Sequence, residues 1–168
     1  FVFSIHSFDD LVDRWLTPML EATTQARESG RLSEAGEHFL IAGLQRRLAT
    51  CFDEADRAGS APGPSVVIGA PGTARQPILP LALATSLRRH GCQVSYVGMD
   101  PTHQDWIDAV DHHQADCITV SIPTVAGRTA AAKAITRLGR ARPDLTVYYY
   151  DTDESEAPEL AAATRLTG

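Results

Sequence analysis

From Ser65 onward, short apolar β-branched runs alternate with longer helical patterns, and this alternation constrains the fold of the 168-residue chain more than any other feature. Strands are predicted at residues 65–69, 93–98, 117–121 and 146–150. Helices are predicted near 78–90, 102–112 and 127–141, with a last one near 157–166. Strand-helix alternation requires right-handed crossovers and yields a parallel sheet. Runs such as SVVIG and CITVS are apolar throughout, as strands covered on both faces must be. The expected fold class is α/β: a flavodoxin-like doubly wound parallel sheet preceded by a short helical cap.

Residues 1–58 read as that cap. Ser7 suits a helix N-cap, with Asp9 and Asp10 in the first turn where the dipole favours them. Leu11, Trp15 and Met19 recur every fourth residue, with Val12, Leu16 and Leu20 beside them, and Ser29-Gly30 ends the pattern. A second helix runs from near Ser33 to near Gly59, with Phe39, Leu40, Leu44, Leu48 and Phe52 on one face. GSAPGPS, residues 59–64 and onward, has linker composition. The sheet domain is expected over 65–168.

Several functions are excluded early. A net charge of −6 argues against gripping nucleic acid with this surface. Cys51, Cys92 and Cys117 are odd in number and lack metal-ligand spacing, so neither a disulfide framework nor a zinc site is expected; Cys92 and Cys117 read as buried thiols, and a reducing cytoplasm fits. No apolar run approaches the ~20 residues of a membrane span. The loop PGTARQP after the first strand is neither a P-loop nor a dinucleotide fingerprint. Arg75 beside a helix start is still able to hold an anion. His112-His113 are adjacent on a helix and do not face one another, so no metal site is expected. The acidic run Asp151, Asp153, Glu154 and Glu156 is expected to be a solvated loop. His103 and Asp105 are expected on a helix surface. No nucleophile-base arrangement appears, and the chain is not expected to be an enzyme.

In an open parallel sheet of this kind, ligands bind at the carboxyl ends of the strands, where strand order reverses. The loops concerned are GAPGTARQP, SIPTVAG and the exit of YYYDTDES. GRLSEAGEHFL and LQRRL in the cap, and the start of the sheet domain from PSVVIGAPGTARQP through RRHGCQVSYVG, resemble the cobalamin-binding domain family. The resemblance is in particular to the sensor domain of MerR-type light- and cobalamin-responsive transcriptional regulators. It covers nearly the whole chain.

The resemblance implies a cofactor site whose motif is degenerate here. The family's acidic residue, lower-ligand His and Gly after the first strand fall on Thr73, Arg75 and Ile78. A guanidinium has no lone pair for cobalt. Ile78 stands where a Gly lets the cofactor tail pass. Ser121 survives from the family's serine motif, with Pro123 at its end, and Tyr150-Asp151 replace a Gly pair. Glu37 and His38 match the cap motif, but its Trp is Arg27.

The implied function is a non-catalytic ligand-sensing or oligomerisation module of a MerR-like transcriptional regulator. It is expected to form a homo-oligomer and to lack cobalamin bound in the usual way. Candidate contacts are Arg27, Glu37, His38, Thr73, Arg75, Ser121, Thr124 and Tyr150. His38 is an axial ligand only if cobalt or heme binds from the cap side. Alternatives are a functional cobalamin or other tetrapyrrole photoreceptor, and a corrinoid carrier subunit of a methyltransferase. The chain does not begin with Met and is expected to be part of a longer protein. DNA contact is expected only through an N-terminal helix-turn-helix outside it. Two cap helices, a fifth strand and a final helix of the family are expected to be missing.

Overall fold

The computed structural model describes residues 12–55, 63–72, 77–151, 153 and 155–166. Residues 59–62, most of the predicted linker, lie outside these, as do Ser7, Leu11, Thr73, Arg75 and Glu154.

The cap begins with a π-helical turn, Val12–Leu16, that runs into α1, Thr17–Glu28, with Pro18 in its first turn. Gly30, at φ 72°, lets the chain reverse into α2, Glu34–Ala55. The buried cap face is Leu16, Leu20 and Leu48, with Val12, Ile41, Leu44, Cys51 and Phe52 packed beside it. This corrects two residues of each predicted stripe. Trp15 and Met19 are exposed, as are Phe39 at 74% and Leu40. Each cap helix carries two adjacent apolar rows, and periodicity alone does not choose between them.

The sheet is formed by β1 (Ser65–Ala70), β2 (Gln93–Met99), β3 (Cys117–Ile122), β4 (Thr146–Asp151) and β5 (Thr164–Arg165), in the order β2-β1-β3-β4-β5. Every neighbouring pair is parallel. This is the flavodoxin-like order, with its switch point between β1 and β3. The crossovers are α3 (Ile78–Arg89), α4 (His103–His113) and α5 (Arg128–Ala141). Gly63 and Pro64 belong to the linker by composition. Both are hydrogen-bonded toward β2, through Gly63 N to Gly91 O and Gln93 N to Pro64 O.

Two expectations fail at the C-terminus. The predicted last helix is a short 3-10 turn, Pro158–Leu160, followed by β5. The missing fifth strand is therefore present as two residues. Leu160 is fully buried, and Leu166 N donates to Tyr149 O, so packing and sheet pairing override the alanine-rich helical propensity.

One core lies between the sheet and helices α4 and α5. It contains Val67, Ile118, Val120, Ile122, Val147 and Tyr149 from the strands, with Trp106, Val110, Ala131, Ile135 and Leu138 from the helices. Gly69 belongs to this layer for a packing reason. A Cβ there would lie 2.7 Å from Val97 Cγ2 and 3.0 Å from the Trp106 ring. On the other face, Ile78, Leu81 and Ala82 of α3 pack directly against Leu16, Leu20 and Leu48 of the cap.

Candidate functional site

The cap and the carboxyl edge of the sheet enclose a cleft of about 590 Å³. Its cap wall is Thr17, Leu20, Glu21, Thr24 and Gln25 of α1. Its floor is Leu79, Pro123, Thr124, Val125 and Asp153. The sequence puts these floor residues together for a topological reason. Leu79 follows β1, Pro123–Val125 follow β3 and Asp153 follows β4, and β1, β3 and β4 are neighbours. The size lies within the range of small-molecule sites. Thr17, Thr24 and Thr124 offer hydroxyls, Gln25 an amide, and Glu21 and Asp153 carboxylates. Thr17 and Thr24 already donate to Val12 O and Leu20 O.

Of the predicted contacts, Thr124 lines this cleft. Ser121 is buried within β3, beside Tyr150 of β4 in register, on the sheet face opposite the α4–α5 core. Arg27 and Glu37 are brought together across the α1–α2 turn, with Nε to Oε2 at 3.0 Å, and are spent on one another. His38 is exposed and does not line the cleft. Thr73 and Arg75 lie outside the described residues. His112 and His113 sit in the last turn of α4, their rings edge to face. Asp105 closes a capping box with Thr102.

The loop edges are pinned by residues that sequence reasoning missed. Asp100, at φ 50°, donates its N–H to Ala70 O and accepts from Gly72 N on Oδ1, tying the exits of β1 and β2 together. Arg128 is the larger omission. Its side chain is 9% exposed and its Nε lies 2.7 Å from Oδ2 of Asp151, itself 1% exposed. The rest of the guanidinium donates to Ser155 Oγ and Asp153 O. Arg165 donates to Asp153 O as well. Asp151 is thus a core residue, which corrects its reading as part of a solvated loop. Asp153 is half-buried, and Glu156 is exposed as expected. A signal was present: Val147, Tyr149 and Asp151 share one strand face, and a carboxylate continuing a buried face requires a partner.

These ties set the local electrostatics. Hydrogen bonds from Ser155, then the Arg128 charge, hold the Asp153 carboxyl below its ordinary range. Hydrogen bonds from Thr102 do the same for Asp105. On β2, burial pushes the Tyr96 hydroxyl up to about 12, and that hydroxyl has no partner among the described residues. Cys92 and Cys117, expected to be buried, are only half-buried, as is Cys51, and partial burial raises all three thiols.

No protein-family model matches the chain. No curated protein matches it either. Solved structures do. A monomethylamine corrinoid protein from Methanosarcina barkeri superposes with a TM-score of 0.71 at 13% identity, over 98% of this chain and 80% of that one. The fold is that of a cobalamin-binding domain. A cobalamin-binding protein from Desulfitobacterium hafniense DCB-2 matches 96% of this chain and 90% of its own, with a TM-score of 0.53 and 14% identity. A methanol:cobalamin methyltransferase complex from M. barkeri gives 0.50 at 13% identity, over 93% and 61%.

These neighbours are corrinoid and cobalamin-binding proteins, so the cleft's donor set in this chain is the relevant test. Among the described residues lining it there is no imidazole and no thiol, hence no side chain suited to ligate cobalt axially. Among the described residues no group of three or more His, Cys, Asp or Glu is placed to hold a metal ion. Ile78 is fully buried between sheet and cap, where it fills space rather than leaving a channel. The described lining does not fit a corrinoid held through a protein ligand. Among the described residues no helix is long and apolar enough to cross a membrane.

Proposed function

We propose that this chain is the non-catalytic ligand-sensing and assembly module of a MerR-like transcriptional regulator, and that a small molecule other than His-ligated cobalamin occupies its cap–sheet cleft. The observation that carries the reading is Ile78. It stands where the resembling family places a tail-admitting Gly, and it is fully buried against Leu16, Leu20 and Leu48. The side chain that closes the slot is the one that fastens the cap. Arg27 and Glu37 add support, because these two cap-motif positions are engaged with one another in an ion pair. The module assembles as a homo-oligomer in the cytoplasm, and contact with DNA belongs to a helix-turn-helix outside these 168 residues. A ligand acts by preferring one packing of cap, sheet or subunits over another.

The test is an absorption spectrum after incubation with adenosylcobalamin and desalting, in the dark and after light. A colourless protein is expected. A retained corrin band refutes the loss of the cofactor and favours a second reading, a corrinoid-binding sensor or carrier. The likeness to the monomethylamine corrinoid protein over 98% of the chain supports that second reading.

A further inference from the structure

A second cleft, of about 210 Å³, opens between α4 and α5 beside the β1 and β2 exits, and shares no residue with the cap–sheet cleft. Its lining includes Gly72, Asp100, His103, Trp106, Lys133 and Arg137. Lys133 is the only lysine in the chain. Lys133 and Arg137 are four residues apart on α5 and so share a face. His103 faces them from the first turn of α4, where the helix dipole is positive. None of the three forms an ion pair or side-chain hydrogen bond with a described residue. Trp106, buried to 1% exposure, forms part of the wall, and its Nε1–H has no acceptor among the described residues. The one carboxylate in the lining, Asp100, is held by Gly72 N.

We infer that this cleft binds a compact phosphate-bearing anion, an assignment that stands independently of what fills the cap–sheet cleft. Before His103 is counted, Lys133 and Arg137 against Asp100 leave the described lining at +1, on a chain of net charge −6. A positive lining maintained against the sign of the whole chain, with none of its cations paired to a described residue, suits an oxyanion. Lys133 supplies a point charge and Arg137 a fork that matches phosphate oxygens. The volume equals that of about seven waters at roughly 30 Å³ each, enough for a diphosphate and too small for a corrinoid.

The lone lysine makes the test direct. An amine-acylating reagent marks Lys133 and the N-terminal amine, and mass spectrometry resolves the two. With inorganic pyrophosphate at about ten times its Kd, acylation of Lys133 should slow about tenfold, as 1 + [L]/Kd requires, while the N-terminal amine is unaffected. Arg137 is exposed, so Arg137→Gln should leave folding intact by circular dichroism yet abolish the protection. The inference is overturned if pyrophosphate leaves the Lys133 rate unchanged, if sodium chloride of equal ionic strength protects as well, or if Arg137→Gln is protected like the parent.

Discussion

Replacing Arg128 with Met tests whether the β4 exit depends on a buried ion pair. At 2.7 Å and an effective dielectric of about 20, the pair's gross attraction is about 6 kcal/mol. Removing two ions from water costs several kcal/mol each, so the intact pair contributes little net stability. The unpaired state is the costly one. Arg128→Met strands Asp151, 1% exposed, with Asp153 N as its remaining hydrogen-bond donor among the side-chain contacts described. Loss of one partner from such a pair costs about 3–5 kcal/mol. For a chain of this length that lowers Tm by roughly 6–20 °C. Urea unfolding followed by circular dichroism measures the change. The double variant Arg128→Met, Asp151→Leu removes both charges and should regain most of the loss. A single variant costing less than about 1 kcal/mol would refute the reasoning. So would a double variant no more stable than the single.

Ile78→Ala should cost about 2–5 kcal/mol in the same urea assay, because the cavity opens between two packed layers that relax only in part. Gly69→Ala should destabilise by about 1–3 kcal/mol, read as a lowered urea midpoint, since its Cβ meets Val97 and the Trp106 ring. Asp105, Asp144 and Asp153 have carboxyls held below their ordinary values, chiefly by hydrogen bonds from Thr102, Arg142 and Ser155. Their folded values lie below their unfolded ones, so each contributes stability that is present above the unfolded value and lost as pH falls through the folded one. Stability by urea titration should therefore decline on the acid side of about pH 4, and Ser155→Ala should flatten that decline.

The sheet was legible because β1 to β4 are continuous apolar runs bounded by turn residues, and each predicted strand falls within a residue of the observed one. The cap face was not. Trp15 and Met19 repeat as regularly as Leu16 and Leu20, and only the position of α3 decides which pair is covered. The C-terminal turn was misread because alanine-rich sequence favours helix locally, whereas Arg165 and Leu166 gain hydrogen bonds to the β4 exit only as strand. At the sites, Arg128 opens a helix in GRTAAAK and looks like a solvated first-turn residue. Its partner lies 23 positions away in an acidic run, and no local pattern links them. The cation cleft was invisible for the same reason, since it joins His103 to residues on a different helix.

The packing of Ile78, Leu81 and Ala82 into the cap has a consequence for how the molecule comes apart. Cap and sheet share one apolar layer, so the cap is not a lid on a hinge, and lifting it exposes Leu16, Leu20 and Leu48 together. Both parts should melt in a single cooperative transition and exchange their amide protons as one unit. A backbone cut between Ala55 and Gly63 would then leave two pieces that hold to one another without a covalent link, as the halves of a split domain do.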